Sequence, residues 1–383
     1  PIFKAGDDLV QMIPDLLDRF FEQENIEIGH KDVVAITESV VARTQGNYVT
    51  IDQVAKDLNP DFAGKELGVI LPILSRNRFA IVLRAIASAD LEKVILQLSL
   101  PSDEVGNHLI TLDQLDNAGI NPWRETISEA KYRELFGYQK HEFTGIDYVA
   151  YYKELVEDCG KKCEIIFSND PLAILAHTKY VINCDIHTRK RTKNLLLKNG
   201  AECVRSLDDI MNAPIDGSGY NEKYGLLGSN KSTEDQIKLF PRECSTLVEA
   251  IQAEVKKRTG KTIEVMVYGD GAFKDPVGKI WELADPVVSP GYTSGLEGTP
   301  NELKLKYLAD NDFKDLRGEA LKEAIKEAIK SKSDNLVGQM ATQGTTPRQL
   351  TDLLGSLCDL TSGSGDKGTP VVYIQGYFDN YTN

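Results

Sequence analysis

The chain has 383 residues, of which 41% are apolar and 27% charged, a composition typical of globular rather than disordered proteins. The net charge of −14 argues against a nucleic-acid partner. No apolar run reaches the ~18 residues of a membrane span, and six cysteines are too sparse for a disulfide framework. We therefore expect a cytoplasmic protein of roughly two or three domains, or of one large elaborated domain, that binds neither membranes nor nucleic acid.

The first hundred residues alternate between helical and strand patterns. Apolar residues at helical spacing from Leu9 to Phe20 predict a first helix. The continuous apolar run from Val33 to Ile36 predicts a buried strand, and a second strand is predicted from Tyr48 to Ile51. Residues 52–100 look helical in pieces.

Two arginines flank an asparagine ahead of one of these predicted helices. Arg76 and Arg78 enclose Asn77, and an apolar stretch follows from Ala80. This arrangement is suited to holding an anion at the helix start, and it is equally typical of a solvated helix end. The sequence leaves both interpretations open.

Residues 163–213 have the pattern of a βαβ block, which favours parallel strands joined by crossover helices. The predicted elements are, in order, a strand Cys163 to Phe167, a helix Pro171 to Leu175, a strand Tyr180 to Asn183, a helix Arg189 to Lys198 and a strand Glu202 to Val204. No Gly-x-Gly-x-x-Gly opens the block, so a dinucleotide site is not supported. Its basic run, with His187, Arg189 and Arg191, either contacts an anionic substrate or is a solvated helix face.

The remaining third contains further elements of both kinds. Helices are predicted from Leu247 to Val255, over 313–332 and over about 347–360, and strands from Ile263 to Tyr268 and from Pro370 to Ile374. Three glycine-containing segments adjoin these elements: Gly228 to Thr233, Gly269 to Asp275 and Thr361 to Gly368. Glycines let a backbone approach phosphates closely, and a carboxylate at a strand end suits Mg²⁺. None is a Walker A loop, and each alone is typical of a plain turn.

The order of these segments, with the N-terminal motifs, resembles the coenzyme F420-0:L-glutamate ligase family. The matching stretches are Gly6-Asp7-Asp8-Leu9, the strand leading into Thr37 to Gly46, Gly228 to Ser232 with Leu239-Phe240-Pro241, Val265 to Lys274, and Asp359 to Val372. Together they cover about half of the chain, roughly 1–50, 224–285 and 345–376. The resemblance implies a mixed α/β core of the F420-0:gamma-glutamyl ligase type, in a homodimer. It implies an enzyme that uses GTP or ATP with Mg²⁺ or Mn²⁺ to join glutamate, or another amino acid, to a carboxylated small molecule through an acyl-phosphate.

The resemblance also implies a set of site residues. The nucleotide contacts are Pro1, Ile2, Phe3, Glu38, Ser39, Arg43, Thr233, Ser362, Gly363, Ser364, Gly365, Asp366, Lys367 and Gly368. The metal contacts are Asn230, Asp270, Gly271 and Ser364. The catalytic residues are Asp270, Arg43 and Lys231. Asp270 is expected to bind the metal, and the two cations are expected to contact the phosphates. All of these are expected to converge on one cleft.

Three of these positions depart from the family pattern. Asn230 replaces a carboxylate, Gly271 has no side chain to bind metal, and Ser39 replaces a lysine. Two alternatives therefore stay open. The protein is a catalytically altered nucleotide-binding or regulatory protein, or it is a phosphotransferase or hydrolase on the same fold. We expect residues 1–90 and 214–383 to form the ligase-like core and residues 91–213 to be an insertion.

Overall fold

The structure is a computed structural model that describes residues 2–269, 273–274, 281–282, 289–333, 335–336, 338–342, 349–362 and 369–379. The α-helices in these ranges are α1 Leu9–Glu24, α2 Glu38–Thr44, α3 Ile51–Phe62, α4 Phe79–Ala87, α5 Leu112–Ala118, α6 Glu129–Phe136, α7 Tyr148–Asp158, α8 Arg189–Lys198, α9 Cys244–Thr259, α10 Leu305–Tyr307, α11 Gly318–Ser331 and α12 Leu350–Ser362. The strands are β1 Val33–Thr37, β2 Tyr48–Thr50, β3 Lys65–Ile70, β4 Leu91–Leu98, β5 Ile127–Ser128, β6 Lys162–Phe167, β7 Tyr180–Asn183, β8 Cys203–Ser206, β9 Asn230–Lys231, β10 Gln236–Lys238, β11 Glu264–Tyr268, β12 Phe273–Lys274, β13 Trp281–Glu282, β14 Gly291–Tyr292 and β15 Val371–Ile374. The predicted mixed α/β class is confirmed.

The chain divides into two compact units. The larger unit comprises Pro1–Asp8, Glu38–Arg242 and Gly269–Val288. The smaller unit comprises Leu9–Thr37, Glu243–Tyr268 and Ser289–Asn383. Both predicted limits of the insertion, at residues 91 and 213, fall inside the larger unit. That residues 91–213 are an insertion into a ligase core remains a prediction.

A six-stranded sheet in the order β5-β6-β4-β3-β7-β8 forms the centre of the larger unit. All of its neighbouring strands are parallel except β5, which runs antiparallel to β6. Helices α3, α4 and α7 cover one face through residues such as Leu58, Leu83 and Tyr152, and α8 covers the other through Leu196. Burial on both faces explains the apolar stretches 67–70, 94–96 and 165–167 in the central strands β3, β4 and β6.

The predicted βαβ block, residues 163–213, does supply three parallel strands to this sheet. The block does not form a separate layer, because β3 and β4 lie between β6 and β7, and only its strands β7 and β8 are neighbours. The segment predicted as its first helix is the 3-10 helix Pro171–Ala176. Residues 65–98 and 162–206 therefore build one sheet. The prediction that residues 52–100 are helical was wrong for β3 and β4, whose apolar residues are buried within this sheet.

A second sheet in the larger unit is the antiparallel set β2-β10-β9. Lys238 lies opposite both Tyr48 and Asn230, while Ile237 lies opposite Val49 and Lys231. Side chains alternate between the faces of a strand. Tyr48, Lys238 and Asn230 therefore lie on one face of this sheet, and Lys231 lies on the other.

The smaller unit is built on the sheet β14-β11-β1-β15, in which only the β1–β11 pair is parallel. Val33, Met266 and Leu354 belong to its core, which α12 helps to cover. The Arg258 guanidinium of α9 forms ion pairs of 2.6 and 3.0 Å with Asp15 and Asp18 of α1. Helix α9 is longer than predicted, and the predicted helix over 313–332 begins only at Gly318 in α11.

Within the described ranges, none of the helices combines the length and the apolar character that crossing a bilayer requires.

Candidate functional site

A buried ion pair marks the start of α2 in the larger unit. The Lys238 ammonium donates to Glu38 Oε1 at 2.9 Å and to Ser39 Oγ at 2.8 Å. The side chains of Glu38 and Lys238 are only 5% and 11% exposed. Glu38 Oε2 is also buried and has no hydrogen-bond partner among the described residues. A buried carboxylate oxygen is costly to leave without a partner, so this atom indicates a place for a ligand, a cation or water.

The predicted residues on α2 share this environment with a tyrosine. Burial raises the pKa of Tyr48, the positive charge of Arg43 opposes that rise, and the negative charge of Glu38 adds to it. Arg43 and Glu38 are thus both close enough to Tyr48 to act on its phenol, and Arg43 is exposed. We name Glu38, Ser39, Arg43, Tyr48 and Lys238 the α2 cluster.

The structure separates two neighbouring residues that the sequence analysis assigned to one site. Asn230 lies opposite Lys238 and faces the side of the β2-β10-β9 sheet that carries the α2 cluster. Lys231 faces the other side and pairs with Glu234 at 2.5 Å. Thr233, predicted as a nucleotide contact, is exposed in the turn between β9 and β10. Asn230 is therefore placed with the α2 cluster, and Lys231 is not.

Of the other predicted site residues, Ile2 is 80% exposed and Phe3 is buried, both in the larger unit. Ser362 ends α12 in the smaller unit, and its hydroxyl donates to the Asp359 carbonyl oxygen at 3.1 Å. Outside the described residues lie Pro1, Gly363, Ser364, Gly365, Asp366, Lys367, Gly368, Asp270 and Gly271. Their convergence with the α2 cluster on one cleft remains a prediction.

Among the described residues, the usual ligand position of a doubly wound sheet holds only a small cavity. In such sheets ligands bind beyond the carboxyl ends of the strands, at the point where the strand order reverses. Here that point lies between β3 and β7, and the cavity beside it is about 40 Å³. Leu207, Leu226 and Leu227 line it. Organic ligands need pockets of roughly 300–1,000 Å³, so this cavity is too small for one.

Asp103 holds the loops after β3 and β4 together at this edge. Its carboxylate accepts hydrogen bonds from the backbone N–H of Leu74, Val105 and Asn107 and from the Asn107 side chain. Burial nevertheless raises the pKa of Asp103 to about 6, with the hydrogen bonds opposing the shift.

We expect a carboxyl ¹³C titration to contain one resonance with a midpoint near 6 that disappears in Asp103→Asn. Because the folded pKa exceeds the unfolded value of ~3.9, the group stabilises the fold fully below about pH 4. That contribution, about 3 kcal/mol, is lost as the pH rises to about 6. A midpoint below 4 for Asp103 would contradict this. It would mean that the four hydrogen bonds lower the pKa by more than burial raises it.

A family model described as F420-0:Gamma-glutamyl ligase matches residues 1–376. The chain belongs to this family. The match extends over nearly the whole chain, well beyond the half that the motifs cover, and it includes residues 91–213. No curated protein matches the chain.

The sequence did not indicate a role for Lys238. Ser39 was predicted to replace a lysine of the family motif, and the Lys238 ammonium lies 2.8 Å from Ser39 Oγ. A positive charge is thus present beside position 39, although it comes from a residue about two hundred positions away in the chain. The signal available in the sequence was a lone lysine in an otherwise apolar stretch, between Ile237 and Leu239.

The donor atoms near the α2 cluster are of the kind that the divalent ion implied by the resemblance would need. Glu38 Oε2 and the Asn230 side-chain carbonyl are oxygen donors, which Mg²⁺ and Mn²⁺ prefer. Among the described residues, no group of three potential metal ligands comes together. The predicted metal carboxylate, Asp270, lies outside them. By the chemistry of their oxygen atoms, Glu38 and Asn230 therefore fit as part of a metal site.

The basic run that begins α8 is largely engaged within the larger unit. Arg189 Nε pairs with Asp208 at 2.9 Å, and the Arg189 side chain is 16% exposed. His187 Nδ1 lies 2.6 Å from Glu104 Oε2. These contacts favour a structural role for Arg189 and His187 over contact with a substrate, while Arg191 is exposed.

Proposed function

We propose that this member of the F420-0:gamma-glutamyl ligase family is a nucleotide- and divalent-metal-dependent ligase. It joins the amine of glutamate, or of another amino acid, to a carboxylated small molecule. The observation that supports the proposal is the α2 cluster, in which a buried ammonium contacts Glu38 and Ser39, two residues that the resemblance implies as nucleotide contacts, and Glu38 Oε2 has no partner among the described residues.

The reaction has two steps. A carboxylate oxygen of the acceptor attacks the terminal phosphorus of GTP or ATP, which forms an acyl-phosphate and releases the nucleoside diphosphate. The amine of the amino acid then attacks the acyl carbon, so that the amide forms, inorganic phosphate leaves and the amine loses a proton. Both steps require mainly positioning of the reactants and neutralisation of phosphate charge.

Lys238 and Arg43 are the cations that would meet the phosphates. An ammonium has three N–H donors, and Lys238 uses two of them on Glu38 and Ser39. The third has no acceptor among the described residues, and it can donate to a phosphate oxygen. Glu38 holds the ammonium in place, and the exposed Arg43 adds a second positive charge.

Asn230, Glu38 Oε2 and Asp270 would hold the divalent ion, which when bound neutralises charge on the phosphates. Because Asn230 is neutral, the carboxylates of Glu38 and Asp270 carry the charge that such a site requires. Homodimer formation and a cytoplasmic location remain predictions.

The proposal is tested by turnover of the purified protein with GTP or ATP, Mg²⁺, glutamate and a panel of carboxylic acids. We expect nucleoside diphosphate, phosphate and amide in equal amounts, with release of diphosphate that depends on both the acid and glutamate. Diphosphate release without either would indicate a hydrolase. Nucleotide binding with no product from any acid would favour the regulatory alternative.

A further inference from the structure

A second possible site lies in the larger unit, in an open cleft of about 520 Å³ between α4 and α7. The two helices run in the same direction: the rings of Phe79 and Tyr152 are 5.2 Å apart near their beginnings, and Cys159 Sγ lies 3.8 Å from the Arg84 carbonyl oxygen near their ends. The cleft volume is within the usual range for small-molecule sites, about 300–1,000 Å³.

The cleft is lined by three cations, two carboxylates and an apolar floor. The cations are Arg76, Arg84 and Lys231, the carboxylates are Asp158 and Glu234, and the floor is formed by Ala80, Ile81, Leu155 and the half-buried ring of Tyr151. Because the cations outnumber the carboxylates, such a cleft can bind an organic anion that has an aromatic or apolar body.

The three cations differ in how much of their charge is already engaged. Arg84 Nη1 donates to the Glu234 carbonyl oxygen at 2.8 Å, and Arg84 Nη2 pairs with Asp235 at 3.2 Å. Lys231 pairs with Glu234 at 2.5 Å. Arg76 is exposed and forms no ion pair with any residue that the structure describes. Its guanidinium is therefore the group available to bind an incoming carboxylate or phosphate with two parallel hydrogen bonds.

The cleft is separate from the α2 cluster. Lys231, which lines the cleft, faces one side of the β2-β10-β9 sheet, whereas Asn230 and Lys238 face the other. Ligands in the two places would therefore lie on opposite faces of that sheet. The inference below does not depend on the proposed ligase activity.

We propose that this cleft is a binding site for an aromatic carboxylate or phosphate, with Arg76 as the residue that binds its anionic group. The aromatic body packs on Tyr151 and Leu155, and the anionic group lies towards Arg76 and Lys231. The sequence left Arg76 divided between anion binding and a solvated helix start, and its position at this cleft favours the first.

The probes are isophthalate, an aromatic dicarboxylate; succinate, which has the same charge without a ring; and phenyl phosphate. By isothermal titration we expect isophthalate or phenyl phosphate to bind at least about fivefold more tightly than succinate, since only they cover the apolar floor. The tighter of the two identifies the anionic group as carboxylate or phosphate.

Arg76→Glu is expected to weaken binding of the aromatic probe by at least about tenfold, because it reverses the charge that binds the anion. The matched control is Arg191→Glu, which makes the same change at another exposed arginine, in α8, and should leave the affinity unchanged. Equal affinity of wild type and Arg76→Glu, or no binding of either aromatic probe at millimolar concentration, would each overturn the proposal.

Discussion

Asp270→Asn is expected to reduce nucleotide-dependent turnover by at least about a hundredfold, the equivalent of roughly 3 kcal/mol in the barrier. The residue follows β11 and Gly269, and the change keeps its size while removing the negative charge that a divalent ion requires. The measurement is steady-state release of nucleoside diphosphate, with titration of Mn²⁺ in the presence of nucleotide. The free energy of unfolding should change by no more than ~0.5 kcal/mol, which would show that the variant loses activity without losing its fold.

Asp275→Asn is the matched control, since it removes a carboxylate from the same glycine-containing segment. The reciprocal variant, Asn230→Asp, should tighten Mn²⁺ binding because it adds a negative charge where the family has one. If Asp270→Asn binds metal and nucleotide as well as the wild type, the proposed metal site is wrong and the regulatory alternative gains support.

Lys238→Ala is expected to lower the free energy of unfolding by about 3–5 kcal/mol, because it leaves the Glu38 carboxylate buried without its cation. It should also weaken nucleotide binding, since the ammonium that meets the phosphates is gone. Urea unfolding measures the first effect and isothermal titration of GTP and ATP the second.

A double variant separates the two consequences of this change. Glu38→Gln with Lys238→Met removes both charges, and should restore much of the stability while nucleotide binding stays weak. Lys56→Ala, which breaks an ion pair whose side chains are 60% and 59% exposed, should cost no more than ~1 kcal/mol. A loss below 1 kcal/mol for Lys238→Ala would show that the Glu38–Lys238 pair is not buried in solution.

Some of the strands could be predicted from the sequence. Strands β1, β6, β7 and β11 contain short apolar runs, because strand positions that are covered on both faces need apolar side chains. Strands β3 and β4 were missed, because they lie in a stretch predicted as helical. Which strands pair is a long-range property, and no local pattern showed that β3 and β4 lie between β6 and β7. Helix α2 was missed because it is only seven residues long and directly follows β1 without a turn.

The site was predictable to a different extent for each residue. Glu38, Ser39 and Arg43 were found because they are close together in the sequence and belong to one motif. Lys238 was missed because its role arises from the register of a three-residue strand that brings it to a residue two hundred positions away. The same register sends Asn230 and Lys231 to opposite faces, which their adjacency in the sequence conceals.

The most direct test of the central claim, that nucleotide phosphates lie against the α2 cluster, is labelling with acyl-phosphate derivatives of GTP and ATP. A lysine that contacts the phosphates attacks the acyl group, and the nucleotide leaves, so that the acyl mark identifies that lysine by mass spectrometry. We predict that Lys238 is labelled, and that unmodified nucleotide with Mg²⁺ suppresses the labelling. Nucleotide-protected labelling of Lys231 instead, or of neither lysine, would contradict the account.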